Sequence, residues 1–206
     1  MTQWVDDSGL GRGRGPAALA RAWVDVLLRP ATFFRTKVAP GDQAPGLTFA
    51  ATMVFFAESV RMATVTDAYP VVAGQPAASA LLWLLAVMVL VTPAGIHLTA
   101  ALQTLVLIAG SDDRAGVSET VQVICYALAP LAFLGVPSPW VKAAVVLWAA
   151  GLFVYGMATV HDFSYPRATV LSALPILLLV GYGFGGNGAV VTVGEQLYDA
   201  VADLFA

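Results

Sequence analysis

Between residues 44 and 184 the chain alternates five apolar stretches with short breaks rich in Pro, Gly or charge. The stretches cover 44–65, 77–109, 118–134, 140–160 and 167–184. A bilayer core is crossed by about 20 consecutive apolar residues in a helix, so each stretch reads as a transmembrane helix. The predicted fold class is all-α: an integral membrane bundle of five transmembrane helices. The second stretch would run roughly 50 Å at about 1.5 Å per residue. That exceeds the hydrocarbon core, so it must tilt, bend or protrude, and Pro93-Ala94-Gly95 marks the bend. Gly135-Val136-Pro137-Ser138-Pro139 turns the chain sharply from the third stretch into the fourth, and Pro175 interrupts the fifth.

The flanks have a different periodicity. Residues 1–16, rich in Gly, Asp and Arg, predict a disordered tail. Residues 17–43 predict an amphipathic head lying in the bilayer interface. Leu19, Trp23, Val26, Leu27, Phe33 and Phe34 recur on one side, with Arg21, Asp25, Arg29 and Thr32 opposite. Pro30 divides this head into two short helices, because proline lacks the donor and crowds the preceding turn. Arg21, Trp23, Arg29, Phe33 and Phe34 are its candidate contacts to the membrane surface or a partner. After residue 184, Val190, Val193, Leu197, Val201 and Leu204 share one face. Glu195, Asp199 and Asp203 share another, so 185–206 predicts a short C-terminal amphipathic helix.

Composition supports a membrane class. The chain is 59% hydrophobic and 11% charged, whereas soluble domains carry roughly 25% charged residues. Arg12, Arg14, Arg21, Arg29, Arg35 and Lys37 lie in the head and tail. With five spans, Arg114 and Arg167 fall on the same side as these, leaving only Arg61 and Lys142 opposite. The positive-inside rule then places the N-terminus in the cytoplasm and the C-terminus outside a cell membrane. A formal net charge of −3 argues against nucleic acid as partner. The single cysteine, Cys125, excludes an intrachain disulfide. No stretch of secretory-signal character precedes residue 44.

Polar residues inside spans are costly and mark candidate sites. Glu58 and Arg61, three apart, can pair on one helical face. They read either as a self-neutralised pair reaching for the headgroups or as a polar site facing the bundle. His97 lies one turn past Pro93, which deprives the Val89 carbonyl of its helical donor. It reads as a structural hydrogen-bonding residue or as part of a proton or ligand site. In the third span Glu119, Gln122, Tyr126 and Pro130 form a polar stripe. Trp148, Tyr155, Thr159 and Asp162 form one in the fourth, and Thr92, Thr99 and Gln103 in the second. Lipid disfavours such faces, so they are expected to meet inside the bundle.

No nucleophile elbow, metalloprotease helix or phosphate loop is present. Gly181, Gly183 and Gly186 match the spacing of a dinucleotide fingerprint, but no strand precedes them, so they read as a helix exit. His161-Asp162 reads as the polar end of a span. No catalytic residue, metal ligand or cofactor is assigned, and the expectation is a protein that is not an enzyme.

Three blocks resemble a known family. They are Trp23-Val24-Asp25-Val26-Leu27-Leu28-Arg29-Pro30-Ala31-Thr32-Phe33-Phe34, Tyr126-Ala127-Leu128-Ala129-Pro130, and Trp148, Gly151, His161, Ser164, Arg167 and Ala168. These resemble Yip-domain proteins, the Ypt/Rab-interacting family of polytopic membrane proteins, in its prokaryotic form. In eukaryotic relatives the resemblance implies contact with Rab-type GTPases. This head lacks the Asp-Leu-Tyr-Gly-Pro motif and spans only 43 residues, so no Rab-type partner is assigned. The expected function is a non-enzymatic membrane protein that organises or binds a membrane-protein partner or a second copy of itself. The alternative is a small transporter or channel using Glu58, Arg61, His97, Glu119, Gln122 and Tyr126.

Overall fold

The computed structural model of the chain describes residues 15–111 and 114–205, and the regular elements among them are helical. The expected disordered tail, apart from Gly15 and Pro16, lies outside the described residues. Helix α1 is Pro16–Leu28 and α2 is Pro30–Lys37, separated at Arg29 by the proline. Helix α3 is Ala44–Thr64. Helices α4 (Pro76–Ala86) and α5 (Thr92–Gly110) run through a π-helical turn, Val87–Val91. Helix α6 (Val117–Ala127) tightens into a 3-10 segment, Ala129–Phe133. Helix α7 is Pro139–Val160. Helix α8 (Tyr165–Ile176) continues as the π-helical segment Leu177–Gly183, and α9 is Gly186–Leu204.

Prolines set the irregular turns. At Pro93 the ladder slips by one residue, so that both the backbone N–H and the hydroxyl of Thr92 reach Val87 O, the latter at 2.8 Å. Pro130 lacks the donor that Tyr126 O would meet in an α-helix, and the chain winds tighter there. Gly185 holds φ at 69°, the left-handed conformation that lets the chain leave the π segment and start α9.

By length and hydropathy three helices suffice to cross a membrane: Pro76–Gly110, Pro139–Val160 and Tyr165–Gly183. Val117–Phe133 is a shorter apolar helix. It is also the centre of the molecule, since every residue from Thr120 to Leu131 is buried. Helices α3, α5 and α7 pack around it. The composite α4–α5 helix turns Leu81, Leu82, Leu85, Leu90, Leu98 and Leu105 outward. In α9 only Gly186 and Ala189 are buried.

The head is part of this core. Phe33 and Phe34, expected against the bilayer interface, are 2% and 1% exposed and face the bundle. Gly156 of α7 makes room for Phe34: a Cβ there would lie 2.7 Å from Val123 Cγ1 and 2.9 Å from Phe34 Cε1. Trp23 sends its Nε1 proton to Ala129 O at 2.9 Å and rests on Phe133, with ring centroids 5.7 Å apart. An apolar helical face states that it must be covered, but not whether lipid or protein covers it.

Candidate functional site

The densest polar arrangement fastens the head to α6. Gln122, 2% exposed, accepts the Ala39 N–H at 3.1 Å through Oε1 and donates to Ala39 O at 2.6 Å through Nε2. The amide thus reads both backbone groups of one residue, as a neighbouring strand would. Directly below, Tyr126 holds Phe33 (centroids 4.8 Å) and Phe49 (5.2 Å) edge-on. Glu119, half-buried in the first turn of α6, folds its carboxylate over Gly116, where a Cβ would lie 2.8 Å from Oε2. That position favours negative charge at the helix N-terminus. Of the head's other candidates, Arg21 and Arg29 are exposed.

Glu58 and Arg61 do pair. Arg61 Nη2 lies 2.5 Å from Glu58 Oε2, and Nε bonds both carboxylate oxygens at 3.1 and 3.2 Å. A third member is Trp83 of α4, whose indole N–H donates to Glu58 Oε2 at 2.9 Å. Spacing alone exposes the i, i+3 pair but not a partner 25 positions away on another helix. His97 is exposed, with Nδ1 2.7 Å from Pro93 O. It therefore looks away from the bundle. The six intramembrane candidates form separate groups: Gln122, Tyr126 and Glu119 along α6, Glu58 with Arg61, and His97 by itself.

The residue that sequence reading set aside as helix punctuation is the more elaborate one. His161, 4% exposed, caps α7 where the loop before α6 and the loop before α8 meet. Its Nδ1 accepts the Ala115 N–H at 3.2 Å, which places the ring proton on Nε2, facing Thr120 Oγ1 at 3.2 Å. Phe163 stacks on the imidazole, Arg167 covers Phe163, and Arg167 Nη2 donates to Gly110 O at 2.6 Å. Burial, and secondly the Arg114 charge, push the imidazole from its usual 6.5 down to about 4.

The folded-state value lies below the unfolded one, so the unfolded chain binds the extra proton. Stability should therefore be unaffected above pH 6.5 and fall as pH drops from 6.5 to about 4. The loss should approach about 3 kcal/mol. Thermal unfolding of the detergent-solubilised protein across that range measures it. His161→Gln, which keeps an acceptor and a donor but cannot titrate, should flatten the slope.

Taken together, the packed apolar helices with isolated polar clamps define an all-helical membrane protein. Residues 24–186 match the Yip1 domain, and the chain belongs to that family. The match begins inside α1 and ends at the first residue of α9, so it takes in the docked head as well as the bundle. No curated protein and no solved structure shows significant similarity to the chain.

Proposed function

We propose that this is a five-span, prokaryotic-type member of its family that organises or binds other membrane components and catalyses no reaction. The observation that supports it most is how the intramembrane polar groups are used. Gln122 is spent on Ala39, Gln103 donates to Leu171 O at 3.2 Å, and Thr92, Thr99 and Thr104 bond carbonyls of their own helix. A conduction path needs such groups to face a shared hydrated passage. Here each of them makes a hydrogen bond to a protein carbonyl. Gln103 Oε1 and Ser172 Oγ are the buried side-chain oxygens of these helices left without a partner among the described residues.

Five crossings of a cell membrane fit the two ends of the bundle. The head, the 110–117 linker and the 161–164 linker are tied together at one end by Gln122–Ala39, Ala115–His161 and Arg167–Gly110 contacts. The 65–75, 134–138 and 184–185 connections lie at the other. Basic residues crowd the first end, which favours the cytoplasm for the N-terminus and the exterior for the C-terminus. The short α6 is tolerable because protein, not lipid, surrounds it.

The orientation test replaces Cys125 by Ala and introduces single cysteines at Arg12 or Asp199. In intact cells an impermeant maleimide should label Asp199→Cys only; labelling of Arg12→Cys would reverse the topology. For function, cross-linking in native membranes should capture a defined neighbour or a second copy. Proteoliposomes with solute flux that depends on Glu58 or His97 would overturn the organiser reading in favour of a transporter.

A further inference from the structure

At the end of the bundle away from the head, a cavity of about 450 Å³ opens between the end of α3, the Gly135–Pro139 turn and the start of α9. It contains both Arg61 and Lys142, the two basic residues that the charge bias of the chain leaves on this side. Elsewhere on that side no Lys or Arg occurs, so their meeting in one cavity concentrates all of its side-chain positive charge. Lys142 has no ion-pair partner among the described residues. Arg61 gives Nε and Nη2 to Glu58, and Nη1 makes no hydrogen bond among them.

The backbone adds to the same field. Helices α7 and α9 both begin at the cavity wall, through Ser138 and Pro139 in one case and Gly185 and Gly188 in the other. Two helix N-termini at the wall of one cavity add partial positive charge to the two cations. Glu58 cancels one unit and fixes the guanidinium plane, while Lys142 leaves the cavity net positive. Ser138 already accepts the Val141 N–H at 3.5 Å, so its hydroxyl proton remains available to an acceptor. The walls contributed by Leu134, Val136 and Pro137 are apolar.

We propose that this cavity binds a phosphate-bearing anion, with Lys142 Nζ, Arg61 Nη1 and Ser138 Oγ donating to its oxygens. Two cationic donors and a hydroxyl lining one cavity suit a tetrahedral oxyanion better than a neutral headgroup. The apolar wall accommodates the glycerol and upper acyl carbons if the phosphate belongs to a lipid.

The full chain in detergent, titrated with phosphatidylglycerol and, separately, with inorganic phosphate, tests this by native mass spectrometry and thermal shift. Phosphatidylglycerol should bind in preference to phosphatidylcholine. Lys142→Gln should weaken binding about tenfold, as expected for one charge-assisted bond, and Lys142→Arg should largely restore it. Gly188→Leu should weaken it too, by filling the cavity from a position where a Cβ meets nothing within 4 Å. Displacement of the lipid by inorganic phosphate identifies a free anion as the ligand class; failure of phosphate to compete identifies the lipid phosphodiester. Binding of neither, or binding indifferent to Lys142→Gln in a variant that unfolds at the wild-type temperature, overturns the proposal.

Discussion

Gly135→Ala should prevent the protein from folding to a homogeneous species, the largest effect expected of a single added methyl group among the described glycines. A Cβ at this position would lie 2.1 Å from Ala57 O, 2.7 Å from Arg61 N and 2.8 Å from Val60 Cβ. Two of these neighbours are backbone atoms in the C-terminal part of α3, which cannot rotate away. The turn would have to withdraw from the helix, and with it the Thr64 hydroxyl contact to Gly135 O at 3.3 Å. Overpacking against flexible side chains costs about 1–3 kcal/mol. A rigid wall raises this to roughly 4 kcal/mol or more, within the range of exceptional single substitutions. Size-exclusion profiles and unfolding temperature of the solubilised variant measure the effect. A monodisperse variant melting within a few degrees of wild type would show that the loop is not pressed against α3. Gly188→Ala, with no atom within 4 Å of its new Cβ, is the matched control and should change little.

Gln122→Leu should detach the head while leaving most of the bundle assembled. Removing the amide strands the Ala39 N–H and C=O, two buried backbone groups for which the leucine offers nothing. Each unsatisfied group costs about 1–3 kcal/mol, so the local loss for the two is roughly 2–6 kcal/mol. Gln122→Glu is the sharper probe, because a carboxylate keeps the acceptor for Ala39 N–H but cannot donate to Ala39 O. It should weaken docking in the same direction. Amide hydrogen exchange in residues 16–43, together with proteolysis near Gly41, reports release of the head. Unchanged protection in both variants would mean that Phe33 and Phe34 hold the head without the clamp.

How much of this was legible in the sequence depends on the kind of contact. Apolar stretches and prolines act locally, so helices and their irregular turns follow from them: Pro30 separates α1 from α2, and Pro93 lies beside a π-turn. Glu58 with Arg61 was legible for the same reason, as was the Gln122–Tyr126 stripe. Their partners were not. Trp83 and Ala39 are reached only through tertiary packing, and no spacing rule connects residue 39 to residue 122. The head shows the limit most clearly, because Phe33 and Phe34 have the same helical periodicity whether lipid or protein covers them. His97 and His161 exchanged importance for a related reason. A histidine's surroundings come from helices remote in sequence, and here those put His97 outside and His161 within.

The docked head also fixes an order of events during synthesis. Trp23 meets Ala129, Gln122 meets Ala39, and Phe34 meets Gly156, so the first helices close onto elements made much later. At roughly 5–20 residues per second, the head emerges some ten seconds before the end of α7 exists. For that interval its aromatic face is uncovered beside the membrane. An element that ends as interior therefore begins as a free amphipathic peptide, and the bilayer surface is the nearest thing that can shelter it.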